Sequence, residues 1–75
     1  MAIKKVATIQ ERLNEALSIR NMSQSDLGRA TGMIRSCINK YSKGLAVPSL
    51  ERVHLMSVAL DVCEVWLLGY DVPMI

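Results

Sequence analysis

The stretch "SQSDLGRATGMIRSCINKY", residues 23–41, decides how the whole chain is read. Ser23 and Asp26 have the reciprocal spacing of a helix cap, and Leu27 and Ala30 give the helix after it an inward side. Gly32 ends that helix. The polarity pattern then changes, and another short helix is expected over residues 35 to 41 or 42, closed by Gly44. Two short helices joined at a glycine turn can meet at a steep angle. Gly28 is a poor helix former, by about 1 kcal/mol against Ala. Its place in the first of the two helices therefore points to close approach of the second.

Outward from this pair, "VATIQERLNEALSIRN" reads as a preceding helix. Thr8 and Glu11 have capping-box spacing, and Ile9, Leu13, Ala16 and Leu17 form an apolar stripe. On the other side "GLAVPS" is a loop, because Pro48 disfavours helix at Val47 and Ser49 can cap a new helix. This fourth helix is expected over residues 50–60, with Leu50, Val53, Met56 and Leu60 inward. A fifth covers about residues 64–68 and stops at Gly69, and Pro73 keeps "YDVPMI" extended. The fold class is all-α: five short helices and no strand.

Composition agrees. The chain has 75 residues, half of them apolar, with one Trp and no Phe, so the core is aliphatic around Trp66. Met22, Met33 and Met56 read as core filler. No apolar run approaches the ~20 residues of a membrane span. "MAIKKVAT" lacks the apolar segment of a secretion signal, so a cytoplasmic location is expected. Cys37 and Cys63 lack metal-ligand spacing, His54 is single, and no catalytic constellation is evident. Neither cofactor, metal nor enzymatic activity is expected.

Charge is uneven. Residues 1–19 carry Lys4, Lys5 and Arg12 against Glu11 and Glu15, a net +1. Residues 20–44 carry Arg20, Arg29, Arg35, Lys40 and Lys43 against Asp26, a net +4. Residues 45–75 carry Arg52 against Glu51, Asp61, Glu64 and Asp71, a net −3. A basic middle suits a polyanion on one face. On the third helix, with Arg35 at zero, Cys37, Tyr41, Ile34 and Ile38 fall at about 200°, 240°, 260° and 300°. Arg35, Asn39, Lys43, Ser36 and Lys40 fall between about 0° and 140°. The second face offers donors and no carboxylate, which suits base edges in a major groove.

Gln24, Leu27, Gly28, Gly32, Ile38 and Tyr41 have helix-turn-helix spacing. The run closely resembles the lambda-repressor-like (Xre-type) DNA-binding family, over about residues 9–69. "PSLERVHLMSVALDVCEVWLLG" resembles that family's fourth and fifth helices, and "GYDVPM" resembles repressors of phages and mobile elements from Gram-positive bacteria. The resemblance implies base contacts from Arg35, Ser36, Asn39 and Lys40, and phosphate contacts from Ser23, Gln24 and Lys43. Gln24 would also buttress the reading helix. It implies a repressor acting as a dimer on double-stranded DNA with a two-fold operator. Leu55, Val58 and Val65 are apolar where the family commonly has polar residues, and they form the expected dimer interface. Three positions depart from the pattern: Ile34 replaces a Ser or Thr cap, Ser42 a frequent glutamate, and Cys63 a serine cap.

The expected division is an arm over residues 1–8, the DNA-binding domain over 9–69, and a tail or linker start over 70–75. A further C-terminal domain in a longer parent protein would fit the family. The alternative is an antitoxin-like protein-interaction module that uses its apolar C-terminal helices.

Overall fold

Thr8 and Glu11 exchange the two hydrogen bonds of a capping box and start α1 (Ile9–Ile19). This is the first element of a computed structural model that describes residues 3–75. Ser23 and Asp26 do the same for α2 (Gln24–Thr31), which ends on Gly32 in the left-handed conformation at φ 75°. α3 (Arg35–Ser42) begins within three residues. Ser49 caps α4 (Leu50–Leu60) by accepting the Arg52 N–H, and a single turn, α5 (Glu64–Leu67), completes the set. Among the described residues there is no strand. One isolated bridge joins Lys5 to Tyr70.

α1 packs on α3 and α5, and α4 packs on α2 and α5. Leu13, Leu27, Ile38, Val53, Met56, Leu60 and Leu67 are fully buried at the centre, with Trp66 beside them. Met22, Met33 and Met74 pack on this core and Met56 lies inside it, so methionine serves as filler here. Arg12 is buried too: its guanidinium lies 4.5 Å over the Trp66 ring and donates to the Trp66 carbonyl at 3.3 Å. Residues 4–7 and 69–71 are bonded to one another. The Gly69 carbonyl accepts from Val6 and Ala7, and the Lys4 carbonyl accepts from Asp71.

Three packing expectations are corrected. Ala30 is exposed, because the inner side of α2 runs through Leu27, Gly28 and Thr31, and Thr31 Oγ1 turns back to the Leu27 carbonyl at 2.7 Å. Leu50 is 72% exposed, not inward. As the first residue of α4 its side chain leans back toward the helix N-terminus, over the loop and away from the core. Ile34 is off the apolar face of α3. It precedes the helix with extended backbone at ψ 146°, so the helical angle does not apply to it.

Candidate nucleic-acid interface

α3 divides along its length. Ile38, Tyr41 and Ser42 are buried and Cys37 is half-buried, so this side is locked into the core. Arg35, Ser36, Lys40 and Lys43 are exposed, with Asn39 half-buried at the margin. Arg35, Ser36 and Asn39 line one shallow depression. Among the described residues the carboxylates of Asp26 and Glu64 are taken up by Arg29 and by the His54 ring. Arg35, Lys40 and Lys43 therefore stand as cations without a carboxylate partner.

The other cations of the basic middle are engaged elsewhere. Arg29 pairs with Asp26 on α2. Arg20 donates from Nε to the Leu60 carbonyl and from Nη2 to the Asp61 carbonyl, both at 2.8 Å. It thereby closes the C-terminus of α4, where carbonyls lack partners. Within the basic middle, the cations left without such a bond are thus Arg35 and Lys40 on α3 and Lys43 at its C-cap.

α2 holds α3 in place at both ends. At the start, Gly28 is buried where a Cβ would lie 2.8 Å from the Met33 carbonyl oxygen, so the turn passes directly over it. At the end, Gln24 Nε2 donates to Ser42 Oγ at 3.0 Å, and Ser42 Oγ donates to the Asn39 carbonyl at 2.9 Å. α1 joins in through Asn14, which donates to the Ser42 carbonyl at 2.8 Å. α4 adds Arg52, which donates to the Tyr41 hydroxyl at 2.6 Å. That bond, with the neighbouring Cys37, pushes the guanidinium pKa up. Ser42, where the resemblance expects glutamate, accepts from both Gln24 and Asn14.

The α2 N-terminus carries the other two residues of interest. Ser23 donates its N–H to Asp26 Oδ2 and accepts the Asp26 N–H, each at 3.0 Å. The Ser23 N–H, its hydroxyl and then the nearby Arg29 hold the Asp26 carboxyl below its ordinary pKa.

No family model and no curated protein matches the chain. Among solved structures, it is similar to the restriction-modification controller protein C.AhdI from Aeromonas hydrophila. The TM-score is 0.75 at 27% identity, over 79% of this chain and 89% of that one. The chain has the all-α, five-helix helix-turn-helix fold of that protein.

On this helix-turn-helix domain Leu55, Val58 and Val65 are exposed by 40%, 66% and 38%, on α4 and α5. Larger apolar exposures at Leu45, Val47, Leu50 and Ile34 had no place in the expected site. The scaffold roles of Arg12, Arg20 and Arg52 also escaped the sequence reading. For Arg12 a signal existed: it stands four residues before Ala16 and so shares that buried face. For Arg20 and Arg52, whose partners lie 40 and 11 residues away, there was none.

Proposed function

We propose that this domain is a sequence-specific DNA-binding transcriptional regulator, a repressor that binds a two-fold operator as a dimer and blocks polymerase by occupancy. The observation that carries the reading is the free basic side of α3, presented by a helix whose other side is buried and braced by α2. In a helix-turn-helix the second helix enters the major groove while the first crosses the backbone. Arg35, Ser36, Asn39 and Lys40 then read base edges, since Arg and Lys suit guanine, Asn suits adenine and Ser suits either. Lys43 and the Ser23–Gln24 end of α2 bind phosphate, with α2 set as an anion site by its N-terminus. The likeness to a controller protein supports a regulatory role. Residues 9–69 form the DNA-binding unit in this reading, working inside the cell on double-stranded DNA.

Selection of bound sites from random duplex DNA, then salt titration on the selected duplex, tests the reading. Enrichment of a two-fold sequence is expected. The log–log salt slope should be steep, about −0.9 for each phosphate neutralised. A protein that enriches no sequence and shows a flat salt response is not a DNA-binding regulator. The apolar surface of α4 and α5 would then be its working face.

A further inference from the structure

Ile34 occupies the N-cap of α3 and contributes little there beyond its backbone. Its carbonyl accepts from Cys37 at 3.1 Å and from Ile38 at 3.5 Å, as any residue's would. Its side chain makes no capping bond and is 67% exposed. A serine at this position would satisfy one of the free N–H groups of the helix start. Single exposed apolar residues need no explanation in general, but this one stands in the place of a group the helix could use. It is also adjacent to Arg35, the first exposed cation of the free basic side, and both line the same shallow depression between α2 and α3. Gly32, two residues back, offers no side chain to cover it, and the space a Cβ would take there is open.

We propose that Ile34 is a specificity-determining residue that packs on the C5 methyl of a thymine in the major groove. This rests on the DNA-binding reading above. The N-terminal residues of a reading helix reach base edges. Among those edges the thymine methyl is the one apolar group, and the rest are donors and acceptors. An isoleucine pressed against cytosine at the same place would cover the N4 amine and leave it without a partner. The side chain therefore favours T·A both by contact with the methyl and by exclusion of the amine. The thymine lies beside the base pair that Arg35 contacts, because the two residues are consecutive in the chain.

The test uses the full chain and a duplex obtained by site selection. Each thymine is replaced in turn by deoxyuridine, which lacks only the methyl, and Kd is measured for the parent, Ile34→Ser and Ile34→Val. One thymine per half-site should stand out. Its loss should weaken the parent about fourfold per half-site, the worth of one buried methyl group. The same replacement should leave Ile34→Ser unchanged, with Ile34→Val responding in between. Ile34→Ser gains a capping group, so weakened discrimination in it is not a folding failure, and its circular dichroism checks this. A parent indifferent to every deoxyuridine overturns the proposal, as does an Ile34→Ser protein that senses the same position equally. Failure to select any duplex is a different result: it removes the DNA-binding reading itself, and this proposal with it.

Discussion

At Gly28 two effects of an added methyl oppose each other. Alanine is the better helix former by about 1 kcal/mol. Its Cβ, however, would stand 2.8 Å from the Met33 carbonyl oxygen, a backbone atom that cannot rotate away. Overpacking of this kind costs about 1–3 kcal/mol, so Gly28→Ala should lower the urea midpoint in spite of its propensity. An unchanged or higher midpoint would mean that the turn moves aside freely. At Ile34 the balance runs the other way. Ile34→Ser should stabilise the fold by about 1 kcal/mol through the missing cap, a rise in Tm of about 4–8 °C for a domain of this size. A thermal scan that shows no rise would mean that the Ile34 side chain supports the helix start in some way its exposure does not reveal.

At the scale of elements, local and distant causes separate cleanly. Thr8–Glu11, Ser23–Asp26, Gly32 and Ser49 set the helix boundaries through contacts within a few residues, so the spacing in the sequence was enough to place them. Leu50 and Ile34 depart from the periodic pattern because they stand at helix starts, where the helical angle does not fix the side chain, and Ala30 departs from it because the buried side of α2 runs through Leu27, Gly28 and Thr31. The Gln24–Ser42 brace was half legible: a buttress from Gln24 was expected, but not its acceptor, which lies 18 residues on. The cap of α2 also makes a prediction about acid. The Asp26 pKa is lowered in the fold, chiefly by the Ser23 N–H, so the carboxylate contributes stability above its unfolded pKa. That contribution is lost as pH falls through the ordinary aspartate range to the lower folded value. Asp26→Asn should remove this part of the acid dependence, and denaturant titrations of both proteins across that range would show whether it does. On α3, base contacts specify and phosphate contacts position. Arg35→Ala and Lys40→Ala should change the selected sequence, a lost bidentate contact being worth about 1–3 kcal/mol of discrimination. Gln24→Ala should weaken all sites more evenly. Base-side variants that retain the parental preference would place the reading surface elsewhere.

The whole molecule measures 37 × 23 × 20 Å, and its proposed assembly depends on where its apolar residues lie. Leu55, Val58 and Val65 belong to α4 and α5, whereas the free cations Arg35, Lys40 and Lys43 belong to the α3 region. Pairing through the first set leaves both copies of the second free to meet one duplex. Two bodies of this width, side by side, can set their α3 helices about 34 Å apart, one turn of DNA, with half-site centres about 10 bp apart. The free chain should pair weakly. A stable interface buries about 1,200 Å² or more, and three partly exposed side chains supply only a fraction of that. DNA then promotes pairing by linkage, since each bound chain raises the local concentration of its partner. Sedimentation of the free chain should show mostly monomer, and the complex with a palindromic duplex should carry two chains. Val65→Lys places a charge in the proposed contact. It should bind a single half-site as the parent does, because α5 takes no part in the reading surface, but it should fill the second half-site with less cooperativity. One chain per palindromic duplex, or undiminished cooperativity in Val65→Lys, would move the dimer contact away from α4 and α5. The exposed Leu45, Val47 and Leu50 beyond α3 would then be the apolar surface to test next.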